Sequence, residues 1–83
     1  MPFVIIWSEQ ARKELSKLET KIADRIVSKI EYTNSLDLLR LEKVEGKPYF
    51  KYRVGTYRIF IERSLHDSVE IIHIEHRRNA YKK

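Results

Sequence analysis

The chain of 83 residues has no cysteine, only two glycines and two prolines, and a single tryptophan. Without cysteine there is no disulfide framework and no thiolate metal site, which suits a reducing cytosol. The scarcity of glycine and proline leaves no linker, low-complexity segment or repeat. Its longest apolar run, Phe3 to Trp7, falls far short of the roughly 20 residues needed to cross a bilayer. No basic stretch precedes that run as a signal peptide requires. These absences lead to one domain spanning residues 1–83, cytoplasmic, with no membrane partner.

What is present is globular: 42% of the residues are hydrophobic and 35% charged, too apolar for a disordered chain. The net charge of +5 is unevenly placed. Residues 1–42 carry 7 basic and 7 acidic side chains, whereas residues 43–83 carry 10 and 5, so the whole excess lies in the second half. Such asymmetry points to an anionic partner, nucleic acid first.

Phe3 to Trp7 is β-branched and aromatic, and reads as a first strand buried on both faces. Ser8 is placed to cap a helix through about Glu19, with Ala11, Leu15 and Leu18 at helical spacing. Thr20 is placed to cap a second, whose stripe is Ile22, Ile26 and Ile30. The two form a helical hairpin against the sheet. Ser35 to Gly46 is leucine-rich, part packing under the sheet and part exposed for a partner. Val69 to Ile74 forms the last strand after a polar turn, and both its faces are partly apolar. The order is βααβββ, an α+β domain with a helical hairpin packed on one face of a mainly antiparallel four-stranded sheet.

The stretch YFKYRVGTYRIFIE, Tyr49 to Glu62, organises the rest. Gly55-Thr56 suits a two-residue type II′ turn, because glycine adopts the positive φ needed at the first central position. Counting outward sets Val54 against Tyr57, Arg53 against Arg58 and Lys51 against Phe60. Cross-strand partners share a face. Phe50, Tyr52, Val54, Tyr57, Ile59 and Ile61 therefore form a core side, and Tyr49, Lys51, Arg53, Arg58, Phe60 and Glu62 the other. Opposed guanidinium groups cost up to about 1 kcal/mol, which stability alone does not explain and an anionic ligand would; an ordinary solvated face is the alternative, and the aromatics gathered with the charge favour the ligand.

The closing HRRNAYKK adds His76, Arg77, Arg78, Tyr81, Lys82 and Lys83 at the end of the last strand. Arginine forks grip phosphate, and exposed aromatics such as Tyr49 and Phe60 stack on unpaired bases, so single-stranded RNA is the natural ligand. RNA carries its own nucleophile in the 2′-OH. Cleavage then needs a proton acceptor, positive charge at the phosphorane and a proton for the leaving oxygen, with no metal and no cofactor. His76 suits both proton transfers; Lys51, crowded by Arg53 and Arg58, is a rival base. His73 and His76, three apart on a strand, point to opposite faces and suggest no metal pair. Glu14, Glu19 and Asp24 suggest no carboxylate pair.

The two segments YFKYRVGTYRIFIE and HRRNAYKK, following a short strand and a helical pair, resemble the RelE family of the RelE/ParE toxin superfamily over nearly the whole chain. The resemblance implies a type II toxin that enters the ribosomal A site and cleaves translated mRNA without metal, restrained by a RelB-like antitoxin. It places the family's basic sheet positions on Lys51, Arg53 and Arg58 and its C-terminal tyrosine on Tyr81. Some members carry an arginine at the end of the last strand, where this chain has Glu75. Arg77 or Arg78 is the substitute, and His76 resembles the histidine of other members. The alternatives are a ParE-like inhibitor of DNA gyrase and a noncatalytic RNA-binding module.

Overall fold

A computed structural model describes residues 2–76 of the chain. The elements are β1 (Val4–Trp7), α1 (Glu9–Ser16), α2 (Thr20–Ser35), β2 (Glu42–Lys43), β3 (Phe50–Val54), β4 (Tyr57–Arg63) and β5 (Ser68–His76). They form one sheet in the order β1-β5-β4-β3-β2, with β1 parallel to β5 and the remaining pairs antiparallel. The α+β architecture is the expected one with a short fifth strand added, because Glu42 and Lys43 pair with Lys51 and Phe50 at the sheet edge.

Ser8 caps α1 as its position suggests, its Oγ accepting the Ala11 N–H at 3.0 Å. The helix ends at Ser16, earlier than the leucine spacing implies. Thr20 is already helical and does not cap α2. Glu19 occupies that position without a side-chain bond, and its carbonyl accepts from the N–H groups of Ile22 and Ala23. Ile26 and Ile30, one turn apart, are fully buried, and Ile22 packs beside them. Burying each such side chain contributes about 1.5–3 kcal/mol. They meet Val54, Ile59, Ile61, Val69, Ile71 and Ile74 on one face of the sheet.

The opposite face is open, which corrects the expectation for β1. Ile5 and Trp7 pair with Val69 and Ile71 and pack on the core, but Val4 and Ile6 are 60% and 43% exposed. Neither helix covers their side of the sheet. Asn34 holds the beginning of this strand to the end of α2, accepting from the Phe3 N–H at 2.9 Å and donating to its carbonyl at 2.8 Å.

An irregularity explains the mixed faces of β5. Phe60 pairs with His73 and the next residue, Ile61, with Ile71, so Ile72 is an extra residue in the ladder. A bulge of this kind shifts the two-residue alternation by one. Ile71 and Ile74 thereby both reach the core while His73 shares the open face with Phe60. Of the leucines between α2 and β3, Leu39 is buried, whereas Leu36 and Leu38 are exposed.

Candidate nucleic-acid interface

The β3–β4 hairpin follows the register expected from its turn: Val54 with Tyr57, Arg53 with Arg58, Tyr52 with Ile59, Lys51 with Phe60 and Phe50 with Ile61. Gly55 has φ +59°, and Thr56 is not among the described non-glycine residues of positive φ, Asp37 and His66. One positive φ at the first central position is the type II′ signature. Val54, Ile59 and Ile61 are buried, and the Tyr52 hydroxyl lies 3.1 Å from Thr33 Oγ1 of α2. Packing of this face against α2 leaves Lys51, Arg53, Arg58 and Phe60 on the other.

Extending the pairing across the sheet arranges the open face in lines. Glu42, Lys51, Phe60 and His73 lie along one, and Arg53, Arg58 and Glu75 along the next. Glu62 pairs with Glu70 further from the turn. The cations therefore gather toward the hairpin end, with carboxylates around them, and Glu75 sets one negative charge across the ladder from Arg58. That carboxylate offsets part of the repulsion between the two guanidinium groups. Tyr49 meets the Phe60 ring edge-on at 5.4 Å between centroids, and His73 stacks on Phe60 at 5.6 Å with an interplanar angle of 14°. Three rings thus sit among the cations.

His76 is elsewhere. It pairs with Tyr57 and shares the core-side face, its ring edge-on to Tyr57 at 4.8 Å and its Nε2 3.4 Å from Thr56 Oγ1. The structure does not bring it onto the face of Lys51, Arg53 and Arg58. Arg77, Arg78, Tyr81, Lys82 and Lys83 lie outside the described residues.

Sequence reading missed a contact between two residues 59 positions apart. The Oε2 of Glu14 lies 2.7 Å from His73 Nδ1, and its Oε1 accepts the Ile74 N–H at 2.7 Å. Gln10 also donates to Oε2, at 2.7 Å. Beyond Trp7 the chain leaves the sheet to enter α1, so β5 loses its neighbour at Ile74, and a helix carboxylate takes the place of a strand carbonyl. Burial alone would raise the Glu14 pKa, but the Ile74 N–H, the Gln10 amide and the His73 imidazole together hold it below its usual value. An ionised carboxylate only accepts, so His73 Nδ1 carries the proton in this bond. No sequence signal pairs Glu14 with His73. Among the described residues no group of three or more His, Asp or Glu side chains is placed to hold a metal ion.

The described residues thus form a two-helix layer on one face of a five-stranded sheet whose other face carries clustered cations. The chain belongs to the ParE toxin family of type II toxin-antitoxin systems, within the RelE/ParE superfamily: the family profile matches residues 5–81. Among solved structures, the chain is similar to the toxin of the RelBE2 complex of Mycobacterium tuberculosis, at 26% identity and TM-score 0.76 over 93% of this chain and 100% of that one. It is also similar to a chain of the RelB-RelE complex of Methanococcus jannaschii, at 32% identity and TM-score 0.70 over 92% and 94% of the two chains. The intact RelBE complex of E. coli has the same fold, at 23% identity and TM-score 0.69 over 92% and 96%. No curated protein sequence matches significantly.

Proposed function

We propose that this toxin is a cytoplasmic, ribosome-dependent mRNA endoribonuclease of the RelE type that works without metal and is neutralised by a RelB-like antitoxin. The observation that carries the reading is the hairpin register, which collects Lys51, Arg53 and Arg58 beside the rings of Phe60 and Tyr49 on the sheet face opposite the core that α1 and α2 bury. Arg53 and Arg58 hold the scissile phosphate by charge-assisted hydrogen bonds. Lys51 neutralises the developing phosphorane or takes the 2′-OH proton, and the aromatics stack on the flanking bases. The segment after β5 adds Arg77 and Arg78 to the phosphate, Tyr81 at the leaving group, and Lys82 and Lys83 to the RNA backbone. His76, on the core-side face with Tyr57, lies apart from these groups. The similarity to chains of RelBE and RelB-RelE toxin-antitoxin complexes and the exposed Leu36 and Leu38 support the antitoxin partner.

Translation in vitro tests the reading: message held on the ribosome is cut by the wild-type protein and spared by a folded Arg58→Ala variant. Equal cutting by both removes Arg58 from the site. The match to the ParE profile favours a second reading, inhibition of DNA gyrase. That reading predicts failure of DNA supercoiling with the message left intact. A noncatalytic RNA-binding module would show salt-sensitive binding without a cleaved product.

A further inference from the structure

The proposed nuclease leaves open whether Lys51 stabilises the phosphorane or takes the 2′-OH proton, and the geometry of the open face bears on it. His76 lies on the far side of the sheet, with Tyr57. His73 shares a line with Phe60 and Lys51, beside the line of Arg53 and Arg58. Its side chain is 41% exposed, and Glu14, at 19%, holds it from the edge of the sheet. With Nδ1–H committed to the carboxylate at 2.7 Å, the neutral ring presents its lone pair at Nε2. The nearest carboxylate oxygen there is Glu75 Oε2 at 4.0 Å, too long for a hydrogen bond. A carboxylate that fixes the imidazole tautomer and ring orientation, on a sheet face that also carries Lys51, Arg53 and Arg58, is the arrangement that hydrolases use to prepare a general base.

We infer that His73 Nε2 is the catalytic base of this site and Glu14 its positioning residue. The inference rests on the nuclease reading and deepens it. As the 2′ oxygen attacks the adjacent phosphorus and forms the O–P bond, its proton passes to Nε2. The bond from phosphorus to the 5′ oxygen, on the opposite side of the phosphorus, breaks; that oxygen takes a proton from water, and the imidazolium gives its own proton up to water. The products are a 2′,3′-cyclic phosphate and a 5′-hydroxyl, and the imidazole ends neutral. Stacking on Phe60 holds the ring plane. Among the described residues, the charged groups facing His73 are Glu14 from α1 and Glu75 from β5, with Lys51 one strand beyond Phe60 and Arg58 across from Glu75.

Single-turnover cleavage of message on purified ribosomes tests this with three variants. His73→Gln keeps a donor for Glu14 but cannot take a proton, and His73→Phe keeps the ring stack. Both are expected to lose at least about 100-fold in the cleavage rate constant, while affinity for message bearing a 2′-deoxy nucleotide at the cut site stays near wild type. Glu14→Gln should lose less, and in the cleavage rate constant rather than in affinity for the 2′-deoxy message, because the ring loses the carboxylate that fixes its tautomer and orientation. Wild-type cleavage rates in His73→Gln would overturn the inference and leave the nuclease intact. So would a loss of RNA affinity equal to the loss of rate, which would make His73 a stacking surface. If the wild-type protein itself leaves the message uncut, the nuclease reading falls and this inference with it.

Discussion

Removing the Glu14 side chain should destabilise the protein in a pH-dependent way. In Glu14→Ala the Ile74 N–H, the His73 Nδ1–H and the Gln10 amide each lose a partner at 2.7 Å. Hydrogen bonds to a charged group contribute about 1.5–3 kcal/mol each when water cannot replace them. Water reaches Gln10 and the exposed His73 ring, so most of the loss comes from Ile74, for a total of about 2 kcal/mol. In a domain of this size that lowers Tm by about 8–16 °C. Glu14→Gln keeps an acceptor for Ile74 and loses about 1 kcal/mol.

Because the folded-state pKa of Glu14 lies below its usual value of 4.5, the ionised form is favoured by folding. Its contribution is fully present above pH 4.5 and disappears as pH falls through the lower folded-state value. Urea titrations followed by Trp7 fluorescence, at pH 7 and at steps below 4.5, measure the gap between wild type and Glu14→Gln. That gap should narrow on acidification. A gap independent of pH, or a Glu14→Ala loss under about 0.5 kcal/mol, the scale of an ordinary surface substitution, would refute the bridging role.

Gly55→Ala introduces no clash, since a Cβ there meets nothing within 4 Å. Its cost should be the backbone penalty of a positive φ alone, about 1–3 kcal/mol by thermal unfolding. Ile59→Ala, at a fully buried position, should cost about 2–5 kcal/mol in urea unfolding. A smaller loss would mean the core closes over the cavity. Arg53→Thr relieves the guanidinium opposed to Arg58 and should leave stability unchanged or raised by up to about 1 kcal/mol. In the nuclease reading the same variant loses affinity for message, so a variant no more weakly bound than wild type would remove Arg53 from the interface.

Local chemistry alone settled much of this protein. Gly55 specifies a turn, the turn specifies the register, and the two-residue period then sends Arg53 and Arg58 to one side and Ile59 to the other, all within fourteen consecutive residues. Ser8 as a cap and the stripe of Ile26 and Ile30 are equally local. Tertiary structure decided what depends on partners far along the chain. The pairing of β1 with β5, and the helices' occupation of a single face, left Val4 and Ile6 exposed despite their apolar character. The bulge at Ile72 exists only against β4, and it puts Ile71 and Ile74, three residues apart, on the same face. The end of β1 left the Ile74 N–H to be met by Glu14, a residue indistinguishable in sequence from any solvated helix carboxylate. Periodicity reports which side of its own element a residue occupies, whereas the group it will meet there is set by the packing of elements whose separation in sequence carries no such signal.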